Sequence, residues 1–390
     1  MAIVINNTPA DYSSVNGDIL FTAYESVKAN DPVTYTGYKY VCDIYVGGNL
    51  IARLKSNPDP VYKRGIFNIA RSVRNYLAQQ FNPASAFNVQ NFGNGEFWIS
   101  VQCKFGEEYG GTLYTNQNID SARVFFNHYN GRLTSTDTIL PTYQNKPASN
   151  SPAIKYVGFG AKCFIPYFSI ATGNITVTAN YYNAAGTSLG TATANVAVVT
   201  NQLSIFDIGP LGVNALLGGT YSITSAVDHY TISINGTVYT INLYCEKKYT
   251  PYSIHFMNKL GGFESFDFRK VSRKTLELEK KVYQQQAYRM SSSGAVSLRT
   301  SNGVMNDTDT TYSVSFKEKI KLNADITSDA EYQWLSELVT SPIVYFDDGG
   351  VLVPATIADT SYEFKKFIND KITSLSINIE LGKSLNTQFR

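Results

Sequence analysis

Residues able to do chemistry are few in this chain and stand apart from one another. His128, His229 and His255 are its three histidines, and each is isolated among aromatic or strand-forming residues. Metal binding or acid–base work needs a histidine with a second donor at a suitable spacing. None of the three has such a neighbour in the sequence, so a structural role is expected for each. The four cysteines, Cys42, Cys103, Cys163 and Cys245, are widely separated and form no Cys-x-x-Cys pair. Their even number permits two disulfides, but the spacing resembles neither a zinc site nor a redox motif, and buried free thiols are expected. The acidic pairs Glu107-Glu108 and Asp347-Asp348 read as turn residues. They lack the alternating offsets and closing glutamate of a calcium loop. Gly47-Gly48, Gly218-Gly219 and Gly261-Gly262 are not followed by the Lys-Ser/Thr that opens a helix after a phosphate-binding loop. The expectation is a protein that is not an enzyme and that uses no cofactor and no metal. A hydrolase site assembled from distant residues is the remaining catalytic alternative.

Composition points away from nucleic acid as well. The 33 basic and 31 acidic residues leave a net charge of +2, without the concentrated positive face that phosphate recognition needs. The richest basic run, Arg269 to Lys274, is followed by Glu277 and Glu279 and reads as a solvated strand or helix face. No apolar stretch approaches the roughly 20 residues that span a bilayer. The segment from Met1 to Pro9 lacks the basic and apolar regions of a signal peptide, so assembly in the cytoplasm without export is expected. Charged residues are only 16% of the chain, and 28 Tyr and 22 Phe accompany 2 Trp. Tyr carries an apolar ring with a polar tip, which suits half-buried strand faces and protein interfaces.

The elements that would position these side chains are mostly strands. At 390 residues the chain is expected to form more than one domain. The reading is mainly β and multidomain, with β-sandwich-like N-terminal (1–150) and middle (151–245) domains. A C-terminal β-barrel-like domain with a short helix (246–390) completes it. Within 1–150, strands are expected around 18–23, 38–46, 50–54 and 96–105, with a turn at Gly47-Gly48. Ile66, Ile69, Ala70, Val73, Leu77 and Phe81 share one helical stripe, which predicts an amphipathic helix over about 66–81. Residues 130–153 read as a linker. In the middle domain, strands at 175–181 and 192–198 flank a turn, and Asn235-Gly236 marks a type I′ hairpin. In the last domain, Val314, Phe316, Ile320 and Leu322 alternate with Lys317, Lys319 and Lys321. Ser328 and Glu331 form a capping box for a helix over about 329–340. Asp347 to Gly350 joins two hairpin strands, and Leu375, Ile377, Ile379 and Leu381 line a final one.

The run Tyr252-Ser-Ile-His-Phe-Met-Asn-Lys-Leu-Gly-Gly-Phe-Glu-Ser-Phe-Asp-Phe268 carries a strand, an Asn-Lys-x-Gly-Gly turn and a second aromatic strand. Together with Trp334 to Tyr345 and Val353 to Phe364, it resembles tail structural proteins (tube, distal-tail and hub-like) of tailed bacteriophages and prophages of Bacteroidetes. The resemblance covers roughly 246–382, more weakly 38–80, and rests on architectural motifs. It implies a virion tail protein that forms a ring, hub or adaptor with copies of itself and with other tail proteins. It carries no catalytic residues. Tyr252, Phe256, Phe263, Phe266 and Phe268 of the hairpin, with Phe316, Lys317 and Lys319 of the later strand, are the expected oligomer interface. A receptor- or host-glycan-binding role for the 151–245 sandwich is the alternative, with exposed aromatic rings stacking on sugars.

Overall fold

The computed structural model describes residues 3–78, 81, 89–129, 140–219, 221–244, 249, 251–301, 304–305, 308–326, 328–358 and 373–389. The chain is mainly β, arranged as two compact units: Met1–Glu246 with Phe256–Phe266, and Lys247–His255 with Asp267–Arg390. The first unit holds two hydrophobic cores, one built from residues between Ile3 and Phe125 and the other from residues between Val157 and Leu243.

The first core lies between two sheets. The strands are β1 (Val4–Asn7), β2 (Leu20–Tyr24), β3 (Lys39–Val46), β4 (Asn49–Ser56), β5 (Arg64–Asn68), β6 (Val89–Phe92), β7 (Trp98–Tyr109), β8 (Thr112–Ile119) and β9 (Arg123–Phe126). One sheet has the order β1-β2-β5, and the other has β4-β3-β7-β8 with β9 also on β7. Both contribute inward side chains to one cluster, among them Phe21 and Phe67 from the first and Cys42, Ile44 and Phe105 from the second. Gly47 and Gly48 take positive φ (56° and 83°) and join β3 to β4, which is the two-residue turn that matches strand twist.

The helix expected over 66–81 is largely replaced. Residues 64–68 form β5, antiparallel to β2 with Phe21 opposite Phe67, and among the described residues of this stretch only Ala70–Arg74 is helical (α1). The reason is tertiary. Ile66 points outward while Gly65 and Phe67 point inward, a two-residue alternation hidden inside the helical stripe. A Cβ at Gly65 would sit 2.6 Å from the Tyr40 ring, so the strand lies directly on that tyrosine. The Tyr40 hydroxyl donates to the Lys63 carbonyl at 2.6 Å and accepts from the Glu25 N–H at 2.9 Å. Burial pushes Tyr40 up to about 12. A second correction concerns Glu107, expected in a turn. It is buried within β7 and ion-paired with Lys28.

The second core is a sandwich of nine strands. Three bear on the domain limits: β10 (Lys146–Pro147), β11 (Ile154–Gly158) and β12 (Phe164–Ser169). They are followed by β13 (Gly173–Tyr182), β14 (Ser188–Val198), β15 (Gln202–Asp207), helix α2 (Pro210–Leu217), β16 (His229–Ile234) and β17 (Thr237–Tyr244). The sheets run β11-β17-β16-β13-β14 and β10-β12-β15-β6. Strand β6 comes from the first 150 residues yet pairs with β15, Phe92 opposite Leu203. The expected limit at 150 therefore does not separate two self-contained sheets. Asn235 and Gly236 take φ of 48° and 88° and set Ile234 opposite Thr237, as the type I′ reading requires. The expected linker at 130–153 is partly outside the described residues. Its later part holds a short 3-10 turn at Leu140–Tyr143 and β10.

The second unit contains one large sheet with some smaller pieces. The remaining strands are β18 (Tyr252–Met257) and β19 (Phe263–Phe268), of which Phe256–Met257 and Phe263–Phe266 belong to the first unit, then β20 (Arg273–Gln284), β21 (Tyr288–Met290), β22 (Val296–Leu298), β23 (Thr300–Ser301), β24 (Val304–Met305), β25 (Asp309–Ile326), β26 (Val344–Asp348), β27 (Val351–Ile357) and β28 (Thr373–Phe389). The sheet order is β19-β18-β26-β27-β28-β25-β20. Among the described residues no pairing joins β19 to β20, so the barrel-like expectation is met by an open seven-stranded sheet. Helix α3 (Asp329–Val339) begins at Ser328, whose side chain accepts from the Glu331 N–H. Leu375, Ile377, Ile379 and Leu381 are buried along β28.

Candidate interaction surface

The expected interface residues separate into two groups. Phe256, Phe263 and Phe268 have no exposed surface, and Phe266 has almost none. Phe263 stacks on Phe81 with ring centroids 4.2 Å apart and planes 10° from parallel. Rings buried within the chain offer nothing to a second molecule. Tyr252 is half-buried, 5.4 Å from the Phe346 ring.

The turn of this hairpin explains its unusual sequence. The Asn258 side-chain oxygen accepts from the N–H groups of Leu260 and Gly262, both at 3.0 Å. Its amide nitrogen donates to the Ala148 carbonyl at 2.8 Å and to the buried Glu264 carboxylate at 3.0 Å. Gly261 has φ +84°, and a Cβ there would lie 2.0 Å from the Asn127 carbonyl oxygen; a Cβ on Gly262 would lie 2.3 Å from Pro166. The Asn-Lys-Leu-Gly-Gly motif is thus a plug fitted into the first unit. Asn258, Gly261 and Gly262 are each accounted for by contacts inside the chain.

The second group lies on paired strands of the seven-stranded sheet. Phe316 and Lys319 are half-buried and Lys317 is exposed, all on β25. This strand pairs with β28 on one side and β20 on the other. Lys317 reaches Glu380 at 2.6 Å, and Lys319 reaches Glu277 at 2.6 Å. The Lys317 ammonium, hydrogen-bonded to Glu380, holds that carboxyl below its usual range. Both pairs are open to water, so they order the strands in register more than they stabilise them.

Strand β20 begins in the run that reads as a solvated face in the sequence, and it also carries apolar residues. All twelve of its residues are exposed. By strand alternation, Leu276, Leu278 and Val282 share one face with Lys274 and Lys280, and Leu278 stands opposite Phe316. The exposures are large: 60% for Leu276, 56% for Leu278 and 50% for Val282. Beyond β20, Met290 is 72% exposed and Val296 65%. The two-residue period at 274–282 was the available signal. Five basic or acidic side chains interleaved with it made the strand look merely soluble.

Elsewhere, no group of three or more His, Cys, Asp or Glu among the described residues could hold a metal ion. His128 is buried with Nε2 at 2.9 Å from the Tyr12 carbonyl, and burial pulls it down to about 4. Cys42, Cys103 and Cys163 are buried free thiols, and Cys245 lies outside the described residues. No helix among the described residues is long and apolar enough to cross a membrane.

No family model and no curated protein matches the chain. Among solved structures, the crystal structure of chicken CNTN1 FN1-FN3 domains is similar over 61% of this chain and 62% of that one, at 9% identity and a TM-score of 0.17. The chain therefore matches less than two thirds of that neighbour's length. So low a score carries no argument about function.

Proposed function

We propose that this chain is a structural protein of a tailed-phage virion, a ring, hub or adaptor component of the tail that acts through protein–protein contacts. The observation that supports this reading is the ribbon formed by β20, β25 and β28. It presents exposed Leu276, Leu278, Val282 and Tyr283 on β20 and Tyr312 on β25. Exposed apolar residues grouped on one element mark a surface that another protein covers. The resemblance of 246–382 to tail proteins supplies the context, and it remains a resemblance in motifs. The same reading makes the chain non-catalytic, localised to the virion tail, and free of cofactors.

Electron microscopy of the purified full chain tests it. Closed rings, tube fragments or end-to-end assemblies are the expected result. A dispersed chain that instead binds cell-surface glycan would overturn the tail reading in favour of a receptor-binding role.

A further inference from the structure

We infer that the outer edge of β20 pairs with the same edge of a second copy of this chain, antiparallel and about a two-fold axis. Strand β20 is the last strand of its sheet. Among the described residues only β25 lies beside it, so its other edge presents backbone N–H and C=O groups to solvent. Such an edge is a template for strand addition. The ladder to β25 passes through a bulge at Lys281/Val282, where the register moves from Ser313 to Thr311. The extra residue is on β25, so β20 itself stays regular over its full length.

Charge decides the occupant. Lysines on an edge ordinarily deter pairing, and β20 carries Arg273, Lys274, Lys280 and Lys281. Its acidic residues, Glu277 and Glu279, precede the second basic pair. In an antiparallel two-fold pairing centred on Glu279, Glu277 of each copy faces Lys281 of the other, and Leu276 faces Val282. Lys274 then meets Gln284, an uncharged partner. The one like-charge meeting is Glu279 with itself on the axis, with a Lys281 diagonal to each carboxylate. A parallel, in-register copy would instead set each glutamate on its like and all three lysines on lysines. The strand is complementary to itself in one orientation only. The pairing also extends a charge pattern present across the sheet, in which Lys317 meets Glu380 and Lys319 meets Glu277.

This interface stands apart from the tail reading, since a two-fold pair forms in solution whether or not rings do. The test uses the full chain in sedimentation equilibrium, with and without charge changes on β20. The expected result is a dimer at about 10 µM. Lys281→Glu should raise its dissociation constant about tenfold, because two symmetric pairs become like-charged. The double change E277K/K281E should recover most of that loss. Glu279→Gln should tighten the dimer by removing the axial repulsion. Glu279→Cys should cross-link to its own copy under mild oxidation, since paired Cα atoms in such a ladder lie about 4.5–5.5 Å apart, within disulfide reach. A chain that stays monomeric at about 100 µM, or a dimer unmoved by Lys281→Glu and not cross-linked through Glu279→Cys, overturns the proposal. Rings from a chain whose Glu279→Cys variant does not cross-link and whose assembly ignores Lys281→Glu would sink this interface and leave the tail reading standing; β20 dimers without rings would do the reverse.

Discussion

At Gly261 two demands coincide: a backbone at φ +84° and an Asn127 carbonyl 2.0 Å from where a Cβ would be. Gly294 shares the first demand, at φ +79°, but has nothing within 4 Å. Gly261→Ala is therefore expected to cost well over the ~1 kcal/mol of the conformational term alone, by about 2–4 kcal/mol in total. Gly294→Ala should cost only the conformational part. Paired urea titrations of the two variants measure the difference. His128 gives a pH prediction at the same scale. Burial lowers its pKa from 6.5 to about 4, so the unfolded chain takes up the proton first as pH falls. The folded state keeps the full contribution above pH 6.5 and loses it progressively towards pH 4. By pH 5 the loss from this residue should be about 2 kcal/mol. His128→Gln should flatten that part of the curve, seen as a smaller shift of the urea midpoint between pH 7 and pH 5 than in the unaltered protein.

At the scale of single elements, local chemistry and local sequence agree in most places. Three two-residue turns, Gly47-Gly48, Asn235-Gly236 and Gly349-Gly350, all take positive φ, and each was visible as glycine or Asn-Gly between alternating strands. The α3 cap was equally visible, because Ser328 and Glu331 need only each other. Ser328→Ala should cost about 1 kcal/mol and loosen the helix, measurable as faster amide exchange at Asp329 to Tyr332. The helix expected over about 66–81 gives way for a contrasting reason. Its apolar residues satisfy two periods at once, and the choice was made by Tyr40 under Gly65 and Phe21 opposite Phe67, residues far away in sequence. Strand β20 shows another difficulty: Arg269 to Lys274 reads in the sequence as a solvated strand or helix face, and a place at a sheet edge depends on which strands pair elsewhere.

Across the whole molecule, the division of the chain does not follow its linear order. Phe256–Phe266 belongs to the first unit although it follows Glu246. Within that unit Phe263 stacks on Phe81, the Ser265 hydroxyl accepts from the Phe164 N–H at 3.1 Å, and the Tyr129 N–H donates to the Lys259 carbonyl at 2.7 Å. A fragment ending at 246 would lack this plug and leave the Phe81 and Phe164 surroundings open. It should bind a hydrophobic dye and melt broadly at lower temperature. A fragment extended to 268 should regain a sharp melt and lose the dye signal; identical melts for the two would refute the role given to the hairpin.

The sequence by itself determined the class of the protein: strands, their turns, the α3 cap and the inward faces of β25 and β28 all follow from alternation and turn chemistry within a few residues. Tertiary structure alone decided what the most distinctive motif is for. Asn258-Lys-Leu-Gly-Gly262 reads as a signature in the sequence, and in the fold its aromatic neighbours Phe256, Phe263 and Phe268 are buried inside the chain. Burial is a property of what surrounds a residue, so no pattern of types could assign those rings to the interior. For the same reason the exposed surface lies on β20, where unburied leucines and a backbone edge with no neighbouring strand among the described residues depend on how the other strands pair.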